Sequence, residues 1–296
     1  MTTTVRGVES PAREATSATE VYIRPRRQEI NPASTMRRRQ ALSLGLGIGT
    51  PAAILALWQI AANAEAIDTR FFPAPTTILA EAGEMVTSGM LFNDLWTTVR
   101  AILIGYLLGL VAGVITGTFL ALSKVVRFAL EPLLSAIYTI PKLAILPLLL
   151  LLIFGLGELP KILLIALGVY FVIWVSVLEG IDDLPPTYDE AAKIFGIKGF
   201  AKWRHVIIPG ILPNLFTGMR IALGTSVLIA VGTEFVNGDE GIGYRIWHSW
   251  SLFQSEQMYV GIVVAAFMGF ALTWIVKFIA ARVAPWAPRE ARRRSE

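Results

Sequence analysis

Six long apolar stretches separated by polar segments organise the chain, over residues 41–62, 101–122, 129–154, 162–178, 215–235 and 259–281. A helix needs about 20 apolar residues to cross the roughly 30 Å hydrocarbon layer of a bilayer, so each stretch predicts a transmembrane helix. The expected fold class is therefore all-α: a polytopic membrane protein with six spans. Five stretches are unbroken. The third is interrupted by Pro141, Lys142 and Pro147, which no straight helix accommodates without a kink.

The distribution of basic residues gives an independent test of the third crossing, because loops on the cytosolic side retain Lys and Arg. With six spans, nineteen of the 26 Lys and Arg residues fall on one side, and only Arg70 and Arg245 fall in loops on the other. Omitting the third span would send the basic 182–214 loop outward. Both termini are accordingly expected in the cytosol of a bacterial plasma membrane. Residues 1–40 hold eight arginines and four glutamates among Ser, Thr and Pro, and read as a disordered basic arm. Its layout is not that of a signal peptide. The transmembrane domain proper is expected over 92–282, with a basic tail over 283–296.

Composition sharpens the picture. Charged residues make up 16% of the chain, against about a quarter in soluble domains, so lipid is its main solvent. The net charge of +4 comes from arginines in the two tails, which argues against nucleic acid as a partner. Cysteine is absent and the two histidines, His205 and His248, stand far apart, so no local metal-ligand spacing exists. In the second span Gly105, Gly109, Gly113 and Gly117 recur every four residues; this bare face predicts close packing against another helix.

The 182–214 loop carries the sharpest functional signal. Thr187 followed by Glu190 has the spacing of a capping box after Pro185 and Pro186, so a short helix is expected from Tyr188 to Phe195, ended by Gly196. Tyr188, Ala191, Ala192 and Phe195 would share one face, and Asp189 and Lys193 would form an ion pair four residues apart. A helix of two turns needs a partner surface to be stable. Small residues beside aromatic ones suit a groove on another protein.

The spacing from Glu190-Ala191-Ala192 through Gly196 to Val206-Ile207-Ile208-Pro209 resembles the EAA loop of inner-membrane components of binding-protein-dependent ABC importers. Val206 and Ile208 depart conservatively from that family's Ile-x-Leu-Pro. The segments Phe72-Pro73-Ala74-Pro75, Ile140 to Pro147, Phe154-Gly155-Leu156-Gly157 and Gly241-Ile242-Gly243-Tyr244 are similar to the nitrate/sulfonate/bicarbonate, or taurine-like, branch. The resemblance implies a type I importer permease fold and an ATPase-coupling role for Tyr188, Asp189, Glu190, Ala191, Ala192, Phe195, Gly196 and Pro209. It also implies a cytosolic ABC ATPase, a second permease copy and an external substrate-binding protein as partners, and no cofactor on this chain. No Gly-x-x-x-x-Gly-Lys-Ser/Thr loop is present in the sequence, so ATP hydrolysis is expected of another polypeptide.

Ionisable residues within spans are candidates for function. Lys142, between two prolines at mid-segment, would either line the translocation path or reach the cytosolic interface. Glu234, at the far end of the fifth span, would gate the path or cap the loop that follows. Glu179, with Asp182 and Asp183 after it, would help position the coupling loop. An ion-gradient-driven secondary transporter is the alternative, but inverted repeats and paired midplane acids are not evident. A membrane-embedded enzyme would need a nucleophile, base or metal constellation, and the sequence suggests none.

Overall fold

A computed structural model describes residues 32–151 and 157–286. Most of the expected N-terminal arm, Phe154-Gly155-Leu156 and the end of the C-terminal tail lie outside them. The chain divides into two units, Met1–Leu57 and Trp58–Glu296. Among described residues the first is helix α1 (Pro32–Asn63), which continues into the second. Residues 32–40, expected within the arm, belong to this helix.

Among its described residues the second unit has helices as its only regular elements. Its elements are α2 (Pro75–Thr87), α3 (Met90–Leu122) and α4 (Lys124–Tyr138), then a 3-10 turn (Lys142–Ile145) running into α5 (Leu146–Leu149). They continue with α6 (Glu158–Asp182), α7 (Pro186–Ile194), α8 (Gly199–Lys202), a π turn (Trp203–Ile207), α9 (Ile208–Asn237), α10 (Ile242–Ser251) and α11 (Ser255–Val283). Five helical stretches are long and apolar enough to cross a membrane: Gly45–Asn63, Met90–Leu122, Glu158–Asp182, Gly199–Asn237 and Ser255–Val283.

The expected third span is not one straight helix. It consists of α4 and the Lys142–Leu149 segment, bent by 90°, because Pro141 removes an amide donor at the bend and Pro147 must start a new helical turn.

Helix α6 is the centre of the bundle. Its buried face includes Leu164, Ile165, Val169, Ile173, Trp174 and Val177. The expected glycine face of α3 packs on it: a methyl carbon added to Gly105 would lie 2.7 Å from the Ile162 carbonyl oxygen, and one on Gly113 would lie 2.8 Å from that of Tyr170. Gly109 meets Ala166 and Val169, and Gly117 meets Trp174 and Val177. In lipid, where apolar burial drives little association, such backbone approach is what holds helices together. On its other side α6 meets α9, with Gly168 against Thr225 and Ile229, Gly218 against Ser176, and Gly180 against Ile211 and Asn214.

The order of these contacts fixes the direction of the chain. Contacts on α3 and α6 advance together, so the two helices are parallel, whereas α9 runs antiparallel to α6. Parallel neighbours joined by residues 123–157 require that segment to travel back through the whole thickness of the bundle. The bent pair therefore counts as a crossing, and the 182–207 loop lies at the same end of the bundle as the start of α4.

Candidate functional site: the 182–214 loop, the bend and a buried polar knot

At the loop end, α7 begins two residues before the expected Tyr188, with Pro185 as N-cap and Pro186 in its first turn. The expected capping box does not form: the N-cap has no side-chain hydrogen bond, and Thr187 and Glu190 are both exposed. A proline in the first turn lacks the N–H a cap would satisfy and presets the helical φ, so Thr187 is drawn inside the helix. The far end is as expected. Gly196 has φ +66°, its N–H donates to Lys193 O at 3.1 Å, and that of Ile197 donates to Ala192 O at 2.8 Å, which is a Schellman ending.

The expected common face of α7 is split. Ala192 is only 2% exposed and belongs to the chain's own packing. Tyr188, Ile194, Phe195 and Phe200 are exposed, and Ala191 is half-buried. Asp189 pairs with Lys193 at 2.8 Å, as expected, and also with Lys202 of α8. Hydrogen bonds from these two ammonium groups hold its carboxyl down at about 2, so it is ionised and braces α7 against α8.

The stem of this loop is tight. A methyl on Gly180 would lie 3.1 Å from Asn214 Cβ, the Asn214 amide donates to Asp183 at 3.4 Å, and the Trp286 indole donates to the Pro209 carbonyl at 3.2 Å. Beside it, Arg127 of α4 donates to both carboxylate oxygens of Asp182 at 2.7 and 2.6 Å.

At the bend, the Lys142 ammonium donates to the carbonyl oxygens of Tyr138 and, at 3.0 Å, Ile140. It lies 5.0 Å from the ring centres of both Tyr138 and Phe171. The charge thus satisfies acceptors that the broken helix leaves without partners.

The opposite end holds a knot the sequence reading did not assemble. Glu234, 1% exposed, accepts from Lys161 at 3.0 Å, from Thr98 at 2.9 Å and from the Gly243 N–H at 2.8 Å. Thr98 accepts from the Ile242 N–H at 2.9 Å, and Asp94 accepts from Gly241 N–H at 3.1 Å and from Arg245 at 2.7 Å. These bonds join α3, α6, α9 and α10. They also explain Gly241-Ile242-Gly243: Gly241 has φ +116°, and a side chain there would lie 2.6 Å from the Glu234 carboxyl carbon. Of the two roles expected for Glu234, the bond from the Gly243 N–H gives it that of capping the loop that follows α9. A cavity of about 540 Å³ beside the knot is lined by Thr97, Glu158, Lys161, Asp239 and Glu240 among others.

His205 reaches the Ala201 carbonyl at 3.0 Å, and His248 stacks on Tyr244. Among the described residues no group of three potential metal ligands occurs.

Residues 84–287 match the family model described as binding-protein-dependent transport system inner membrane component. A putative aliphatic sulfonates transport permease of Bacillus subtilis is 32% identical over 81% of this chain and 87% of its own length. The taurine transport system permease of Escherichia coli is 31% identical over 81% and 89%, and a nitrate import permease of Leptolyngbya laminosa 26% identical over 88% and 96%. Among solved structures, an inward-facing methionine ABC transporter gives a TM-score of 0.57 at 16% identity, covering 69% of this chain and 98% of that one. An amino acid ABC transporter gives 0.55 at 16% identity, covering 68% and 97%. With the family model covering most of the chain and the bundle sharing the fold of importer permeases, the chain belongs to the family of inner-membrane components of binding-protein-dependent ABC importers, as a permease subunit rather than an enzyme.

Proposed function

We propose that the chain imports a small anion, a sulfonate or a related oxyanion such as nitrate, with α7 as the helix that docks on a cytosolic ATPase. The supporting observation is the surface of α7: a two-turn helix, braced from behind by Asp189 and Ala192, that presents Tyr188, Ile194 and Phe195 to whatever lies beyond. Exposed aromatics on a helix too short to stand alone are complementary to a partner's groove. The substrate class follows the printed names of the relatives.

On this reading the loop end faces the cytosol, both termini lie there, and the knot faces the external binding protein. A second copy of the permease completes the path. Helix α4, which has no buried residue of its own, fits that interface, and Lys142 borders the path at the bend. Lipid covers the remaining apolar faces.

The test is co-purification with the cognate ABC ATPase. Ala191→Trp and Phe195→Asp should insert normally yet lose the ATPase, since an added indole cannot fit a packed interface and a carboxylate cannot enter an apolar one. Retention of the ATPase by both variants at normal expression would overturn the docking assignment.

A further inference from the structure

The bundle is held unevenly. Helices α3, α6, α9 and α10 are tied by glycine-mediated backbone contact and by buried ion pairs. Helix α4 is different: no residue on it is fully buried. Its partly buried Val126, Leu134 and Ile137 touch a small cluster of Leu120, Phe171, Trp174 and Leu178. Polar and aromatic clasps hold its two ends. At the bend these are Lys142 over Phe171 and Tyr138 against Phe171. At the loop end the clasp is Arg127 on Asp182.

The loop-end clasp has the geometry of a mechanical joint. Glu131, one turn along α4, accepts the Arg127 Nε–H at 2.7 Å, which orients the guanidinium. Its two remaining nitrogens then meet the two Asp182 oxygens as a fork, the arrangement that best fixes direction as well as distance. Asp182 is the last residue of α6, four positions before α7 begins. Anything that shifts α7 acts on a stem to which Arg127 is already attached.

We propose that Arg127 is a positioning residue that carries movement of the docking helix into the bent third segment, so that α4 and its bend follow the ATPase. The inference rests on the docking role proposed for α7. The pair is half exposed, with side-chain exposures of 28% and 50%, so its net stabilisation is small. Its importance is directional: the apolar contacts of Val126, Leu134 and Ile137 fix no orientation, whereas the fork does.

The test uses the whole complex, permease with its ATPase in lipid nanodiscs. The native chain has no cysteine, so a single Ile140→Cys at the bend reports alone. Its reaction rate with a maleimide is compared between nucleotide-free and ATP-vanadate-trapped complexes. With Arg127 present the rate should differ between the two states. In Arg127→Ala, and in Asp182→Ala, the difference should be lost while the ATPase still co-purifies and hydrolyses ATP. Arg127→Lys should retain only part of it, because an ammonium cannot fork. The charge-swapped pair Arg127→Asp with Asp182→Arg should restore it.

An unchanged state dependence in Arg127→Ala would overturn the proposal, as would the absence of state dependence in the chain carrying Ile140→Cys alone. Failure of that same chain to co-purify with the ATPase would instead overturn the docking role itself.

Discussion

A carboxylate has about four acceptor positions, and at Glu234 the chain fills three of them with an ammonium, a hydroxyl and a backbone amide. A buried charge is tolerated only when so satisfied, and removing one partner leaves the other stranded. Lys161→Met should therefore lower the stability of the purified chain by about 3–5 kcal/mol, read as a drop in its thermal midpoint. Glu234→Gln should cost less, because the amide oxygen still accepts from Gly243 and Thr98. The double variant should recover part of the loss of Lys161→Met, since neither buried charge then remains. A loss in the double variant equal to the sum of the two single losses would mean that the pair is not coupled. These residues were only half legible in the sequence. Glu234 is conspicuous as an acid ending an apolar stretch, but Asp94, Thr98 and Lys161 look like ordinary loop residues until the partners 73 to 151 positions away are known.

The same polarity hid the ends of elements. Helix α3 begins at Met90 and α6 at Glu158, well before the apolar stretches starting at 101 and 162, because their first turns carry the knot and a hydropathy reading takes polar residues for loop. Glycine spacing, by contrast, was readable, since periodicity alone reports a bare face. It makes a prediction at the scale of the helix pair. Gly109→Ala would place a methyl 2.7 Å from Val169 Cβ and closer still to the Ala166 backbone, so α3 and α6 must separate, at about 1–3 kcal/mol. Gly224→Ala on α9 has nothing within 4 Å of the added carbon and should be neutral or slightly stabilising. Thermal midpoints of the two variants decide the matter; equal effects would count against backbone approach as the source of the packing. In α7, Gly196→Ala should weaken ATPase co-purification more than Thr187→Ala, because the positive φ at Gly196 is real whereas the capping box is not formed.

For the molecule as a whole, the open point in the sequence was whether a segment broken by two prolines crosses the membrane at all. Basic-residue asymmetry argued that it does. The parallel contact order of α3 and α6 gives the same answer on separate physical grounds, since two adjacent parallel helices cannot be joined without a return through the bilayer. The bidentate bond between Arg127 and Asp182 then places the start of α4 at the end of the bundle where α6 finishes. The start of α6 and the segment after α9 lie together at the other end, joined through Lys161, Glu234 and Gly243. Single cysteines at Val125, Leu159 and Asp239, all exposed, should therefore fall into two classes in whole cells. An impermeant maleimide should label Leu159→Cys and Asp239→Cys in intact cells, and Val125→Cys only after the membrane is permeabilised. Labelling of Val125→Cys together with Leu159→Cys would make the third segment a re-entrant loop and would contradict the parallel packing of α3 on α6. The reverse pattern, with Val125→Cys alone accessible, would leave the fold intact but invert the orientation, placing the docking helix outside the cell and out of reach of any ATPase.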